Sequence, residues 1–442
     1  MDAAEIKRLD RLHHLHSWSA QASLDPIVFE HGRGACFWDA SGKRYLDFFS
    51  QQVNLNTGHQ HPKVMEAIRE QTTKCCYCGP GFAYEVRSRL AEKLSKVTPG
   101  DLDHLFFTLS GAESNENAIK IARLYSGKFK ILARYRSYHG ASYGAISLTG
   151  DPRRPPVEPG LPGVVHVLDP YCYRCSFSLS YPSCGLQCAK HIEEIILYEG
   201  AETVAGIFLE TITGSNGLFV PPPEYLPTVR DICDRHKVLM ICDEVMSGFG
   251  RTGKWFAVDH WKVVPDMITM AKGITSGYVP LGAVAVSRKI ADYFQDHVLW
   301  CGLTYNAHPL GCATAFATLK VYEEEGLIDR SRDMGVSLMR DLEALKMKHP
   351  CVGDVRGIGL FSVIELVRDK KSREPLVPWN ASDQALAFTK EIHRRLLAGG
   401  VYTWVRWNWI FVTPPLVITE EELEEGLGII DEVLSFVDTQ IG

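Results

Sequence analysis

From about residue 60 to 330, short apolar runs alternate with longer stretches whose apolar residues recur at helical spacing. The runs are "HLFFTL" (104–109), "FKILAR" (129–134), "VVHVL" (164–168), "VAGIFLE" (204–210), "KVLMICDE" (237–244), "DMITMA" (266–271) and "AVAVS" (283–287). Several are apolar at consecutive positions, the pattern of strands buried on both faces, and the segments between them are long enough for crossover helices. This predicts an α/β fold with a mostly parallel sheet. In such sheets ligands bind beyond the carboxyl ends of the strands, so the residues just after each run are where chemistry is expected.

After about residue 331 the pattern predicts a long helix, a glycine-punctuated strand over "GDVRGIGLFSVIEL" (353–366) and a helix near 384–398. A strand "WIFVT" (409–413) and a final helix from Glu420 follow, which together read as a smaller α+β domain. A hairpin-like "GACFWDASGKRYLDF" (34–48) near the N-terminus is expected to pack with it. The expected division is an N-terminal segment (1–58), an α/β domain (59–330) and a C-terminal α+β domain (331–442).

Composition then narrows the partners. With 45% hydrophobic residues, 23% charged residues and a net charge of −6, the chain offers no basic field for nucleic acid or an anionic membrane, so a small molecule is expected. No run approaches the roughly 18 to 20 apolar residues of a membrane span, and the N-terminus lacks the apolar core of a signal peptide. Thirteen cysteines, an odd number, read as free thiols in a reducing compartment, and the cytoplasm is expected.

"LSGAESNENAIKIARLYSG" (109–127) follows one predicted strand and opens a helix carrying Ala118, Ile121, Ala122 and Tyr125 on one side. Ser110, Gly111 and Ala112 thus stand at a helix N-terminus, either as an ordinary cap or as a phosphate site. Asp243 leaves the apolar run in "LMICDEVMSGFGRTG", where a carboxylate calls for a cation, such as an arginine or a protonated ring nitrogen. Lys272 ends another run in "MITMAKGITSGY", as a wet loop residue or as an imine-forming amine. It lies about one crossover unit beyond Asp243, so the two can end neighbouring strands. Tyr138 in "YRSYHGASYGA" is an aromatic able to stack on a planar ring. A phosphate cradle, a stacking aromatic, an acid and an amine are what pyridoxal 5′-phosphate asks of a protein.

With "SGAESNENA", "YHG", "ICDEVMSGFGRTG", "MAKGITSGYVPLGAV", "GLTYNAHPLGCA" and "TPPLVIT" in order, the chain resembles the class III, fold type I aminotransferases over roughly residues 20–438. It is similar to ω-amino acid, taurine and GABA transaminases, and to dialkylglycine decarboxylase. The resemblance implies a seven-stranded, mostly parallel sheet and a small domain built from both termini. Lys272 resembles the Schiff-base lysine that also moves the proton, and Asp243 the acid that keeps the pyridine nitrogen protonated. Ser110, Gly111 and Ala112 match the phosphate-binding segment, Tyr138 with His139 and Val245 the ring's surroundings, and Thr304 a threonine that reaches the neighbouring subunit's phosphate. A homodimer, or a dimer of dimers, is implied.

Phe411 stands where many relatives carry a carboxylate-binding arginine, and Arg406, five residues upstream, is either its replacement or a surface arginine. Glu210 matches a glutamate near the substrate amine or that arginine. Gln52 and Val53 occupy positions that are aromatic in aryl-amine transaminases, which suggests an acidic substrate. Cys172, Cys175, Cys184 and Cys188 have a spacing that suits zinc, but they resemble an inserted loop of relatives whose chemistry needs no metal, and no metal is expected. The expected reaction is transamination from an ω-amino acid such as taurine or β-alanine to a 2-oxo acid. Decarboxylation or racemisation by the same cofactor is the alternative, and a non-catalytic binder is a third reading.

Overall fold

The computed structural model describes residues 1–441. Each of the seven apolar runs forms a strand, and they join in one sheet. The order across it is His104–Thr108, Gly282–Val286, Met267–Met270, Leu239–Asp243, Val204–Glu210, Lys130–Arg134 and Val164–Val167. Gly282–Val286 runs antiparallel to both neighbours, and the other pairs are parallel.

The consecutive apolar positions reflect burial on two faces. Every residue of Val204–Glu210 and of Leu239–Asp243 is buried. Within Leu239–Asp243, Met240 and Cys242 join one core cluster while Leu239 and Ile241 join the other, as the two-residue period of a strand requires. The helix Gly111–Ser126 lies against this sheet and buries Ala118, Ile121 and Ala122. It starts where the Ser110 hydroxyl accepts from the Glu113 amide, and stops at Gly127, whose φ of +68° leaves the helical region.

Near the N-terminus Phe29–Arg33, Cys36–Asp39 and Arg44–Asp47 form an antiparallel sheet. Val401–Tyr402 extends it, pairing in parallel with Arg44–Asp47. The stretch expected to be one strand over 353–366 is instead two antiparallel strands, Val352–Gly357 and Ser362–Asp369. The reversal turns on Gly359, where φ is +62° and a Cβ would stand 2.6 Å from the Thr252 backbone. Trp409–Val412 and Val405–Arg406 continue that sheet.

Arg251 ties these parts together. Fully buried, it donates to the Leu360 carbonyl (3.1 Å), the Pro414 carbonyl, Ser50 Oγ (3.2 Å) and Asn56 Oδ1 (2.6 Å). Among the described residues no helix is long and apolar enough to cross a membrane.

Phe208 is fully buried in the middle of the sheet, whereas Leu197 is 57% exposed on a helix. Phe208→Ala should lower stability by about 3–5 kcal/mol in chemical denaturation, and Leu197→Ala by no more than about 0.5 kcal/mol. Equal costs for the two variants would contradict this account of the core.

Candidate active site

Sheet register assembles the centre of the site. Glu210 lies opposite Asp243 and Asp243 opposite Thr269, so the two carboxylates end neighbouring parallel strands. Lys272 follows two residues after Met270, at the start of a short 3₁₀ turn. Its φ of +46° is uncommon for a residue with a side chain and marks local strain of the kind that functional turns hold. The Lys272 amine is pushed down to about 8, chiefly by burial and further by the Arg153 and Arg251 charges, against the pull of Asp243 and Glu210. No hydrogen bond or ion pair holds it among the described residues.

Asp243 is held on three sides. Its Oδ2 accepts from Asn115 Nδ2 at 2.8 Å and lies 2.8 Å from His139 Nδ1, and its Oδ1 accepts from the Val245 amide at 3.0 Å. Asn115 also donates to the His139 carbonyl at 2.6 Å, which fixes the turn carrying Tyr138 and His139. A buried carboxylate so oriented is ready to meet a cationic ring nitrogen.

Gly111 and Ala112 begin the helix, and their first-turn amides have no acceptor within it. Space at this terminus is tight. A Cβ on Gly111 would lie 2.8 Å from Val245 Cγ1, and one on Gly140 would lie 2.5 Å from Ala112 Cβ. Glycine at both places lets Val245 and the Tyr138–Gly140 turn close on the helix N-terminus. Glu210 accepts from the Tyr138 amide (3.0 Å) and the Gly214 amide (2.7 Å), and burial raises its pKa. It therefore anchors the Tyr138 turn.

Arg406 comes to the same region from the C-terminal sheet. It donates to the Ser215 carbonyl (2.8 Å) and to Asp151 Oδ2 (3.1 Å), and lies over Trp404 and Trp407. Its charge is near enough to act on the Tyr138 hydroxyl, as is that of Arg153, whose guanidinium stacks 3.6 Å from the Tyr138 ring centroid. Burial, with Arg153 as a like charge, lowers the Arg406 pKa to about 10. Phe411 is fully buried against Phe49 and Trp404 and offers only apolar surface. Val53 is sealed in the core, Gln52 is exposed, and Thr304 sits on an exposed loop where its carbonyl accepts from the Tyr77 hydroxyl.

Cys172, Cys175, Cys184 and Cys188 line one small cavity under the surface loop, and all are free thiols. No three of their sulfurs lie within 4.8 Å of one another. Among the described residues the only such group of potential metal ligands is Asp10, His14 and His16.

Sequence reasoning missed Asn115, Asp151 and Arg153. Asn115 lies inside the quoted "SGAESNENA", one helical turn beyond Gly111, and that spacing was its available signal. Asp151 and Arg153 belong to "GDPRRPP" (150–156), a charged stretch soon after the Tyr138 turn.

A family profile described as aminotransferase class-III matches residues 18–434. A taurine–pyruvate aminotransferase of Bilophila wadsworthia is 34% identical over 100% of this chain and 99% of its own length. A leucine/methionine racemase of Thermococcus litoralis is 34% identical over 97% of this chain and 95% of its own. The crystal structure of a taurine:2-oxoglutarate aminotransferase from Bifidobacterium kashiwanohense, in complex with PLP and glutamate, superposes with a TM-score of 0.96. It is 42% identical and covers 100% of this chain and 99% of that one.

The residues here fit pyridoxal phosphate. The free Lys272 amine suits its carbonyl, Asp243 its ring nitrogen, and the Gly111 and Ala112 amides its phosphate, with Tyr138 and Val245 standing beside the same helix end.

An amine at about 8 loses its proton well below the ordinary 10.5. Cofactor capture by cofactor-free protein, followed by absorbance at roughly 400–430 nm, should quicken up to about pH 8 and then level. A rate still climbing toward the ordinary lysine value would refute the lowered pKa.

Proposed function

The chain belongs to the class-III aminotransferases, and from that membership we propose that it transfers an amino group from an acidic ω-amino donor, such as taurine or β-alanine, to a 2-oxo acid in two ping-pong half-reactions. Class-III aminotransferases use pyridoxal 5′-phosphate. When bound, the cofactor would supply a carbonyl able to hold the Lys272 amine until the donor amine replaces it, and an electron-withdrawing ring that acidifies the carbon bearing the amine.

The chain's own residues do the rest. Lys272 Nζ, its pKa lowered by burial to about 8, is the base that would take the proton from that carbon and return it on the far side of the amine nitrogen. Asp243, clamped by Asn115, His139 and the Val245 amide, is the group that would keep a positive charge on the ring nitrogen. The first-turn amides of Gly111 and Ala112 would hold the phosphate, and Tyr138, fixed through its own amide by Glu210, and Val245 would be the residues to flank the ring. Thr304 serves the phosphate of a second copy of the chain. A homodimer is supported by its exposed loop and by nearby Tyr77, Phe82 and Trp300, apolar side chains left in solvent by a single chain.

The observation that carries the substrate reading is the Arg406 guanidinium. Its charge reaches the Tyr138 hydroxyl while Phe411 is locked in apolar packing, so of these two positions Arg406 is the one able to pair with a carboxylate or sulfonate. Taurine in the names of the Bilophila relative and the Bifidobacterium structure supports an acidic donor. The racemase relative makes racemisation the second reading, with decarboxylation beside it. Product analysis separates them, because only transamination yields a new amino acid from the added 2-oxo acid.

Arg406→Ala should cost acidic donors about 1.5–3 kcal/mol in kcat/KM and cost neutral amines nothing. Steady-state kinetics with taurine, β-alanine and an aryl amine tests this. An aryl amine as the best donor, or acidic donors indifferent to the substitution, would defeat the reading.

A further inference from the structure

Asp151 is a fully buried carboxylate that the transamination chemistry does not use. Its Oδ1 accepts from Arg153 Nε and from the Arg153 amide, each at 3.0 Å. Its Oδ2 accepts from Arg153 Nε (3.0 Å), Arg153 Nη2, Arg406 Nη2 (3.1 Å) and Asn216 Nδ2 (3.2 Å). Arg153 also donates to Ser215 Oγ at 2.9 Å, and Arg406 to the carbonyl of the same residue. The two guanidiniums therefore meet at one carboxylate and one serine. Arg153 is packed against Tyr138 and lies 5.5 Å from the Trp18 ring, and Arg406 against Trp404 and Trp407, so neither can move far without losing an aromatic face.

Two cations and one anion in direct contact leave the cluster itself with a net positive charge in a largely buried place, with the Glu210 carboxylate acting on Arg406 from farther off. An acidic substrate group cancels it by drawing on the same guanidiniums that Asp151 holds. A neutral substrate leaves the charge in place, with Asp151 keeping both guanidiniums satisfied. We propose that Asp151 is a specificity determinant: an internal carboxylate that holds Arg153 and Arg406 and sets how strongly an acid group on the substrate is favoured over none. The proposal rests on Arg406 as the acid-binding group, and it adds Arg153 as a second cation whose charge counts in the balance.

The sign follows from the charge left in the cluster. Asp151→Asn keeps the size of the side chain and leaves two positive charges, so acidic ligands should bind roughly tenfold more tightly and neutral amines more weakly. Arg153→Gln leaves none, and acidic ligands should bind roughly tenfold more weakly. The double variant restores the wild-type balance and should return to near wild-type affinity, an outcome that mere damage to packing would not give.

Isethionate carries a sulfonate and no amine, so its binding to the holoenzyme by calorimetry reports this cluster without turnover. KM for taurine and for an aryl amine gives the second readout. Tighter isethionate binding in Asp151→Asn, with a raised aryl-amine KM, is expected. Losses for both ligands in Asp151→Asn, or no rescue in the double variant, would overturn the proposal. If Arg406→Ala fails to weaken isethionate, the acid-binding reading itself has failed. If that variant behaves as expected and the charge ladder does not, only the role of Asp151 is lost.

Discussion

The lateral register between Val204–Glu210, Leu239–Asp243 and Met267–Met270 is the constraint on which the site depends. Successive strand residues point to opposite faces, so a slip of one position would turn Asp243 away from Asn115 and His139. Register in turn is enforced by burial on both faces, because Met240 and Cys242 belong to one core and Leu239 and Ile241 to the other. Hydrophobic packing thereby positions charged groups it never touches.

Those groups share a second property: apart from Lys272, each of these buried charges is held by two or more partners. Asp243 has three neighbours, Glu210 two backbone amides and Asp151 two guanidiniums. Lys272 is the exception, since among the described residues nothing bonds its amine, and it meets the cost of burial by a lowered pKa. That asymmetry sets Lys272 apart from the fixed groups around it.

Much of this was legible in the sequence, for local reasons. Seven strands announced themselves as apolar runs because both faces are buried, and the helix at Gly111 through its cap and spacing. Lys272 and Asp243 were legible because each follows a run directly. The hairpin about Gly359 was misread as a single strand, because what forces the reversal is contact with the backbone at Thr252, over 100 residues away in sequence (359 − 252 = 107). Asp151 with Arg406 escaped for the same reason, their hydrogen bond spanning a separation of 255 residues. The position of Arg406 five residues before Phe411 gave its candidacy, but its partners belong to tertiary structure alone.

Arg251 carries an implication for the order in which the molecule is made. Its acceptors lie 195 residues upstream at Asn56 and 163 downstream at Pro414. A chain emerging from the ribosome has synthesised Lys272 and every strand of the main sheet long before Pro414 appears, so this guanidinium must wait for its last acceptor. The final enclosure of Arg251 is therefore a late event, set by the arrival of the C-terminal segment rather than by completion of the main sheet.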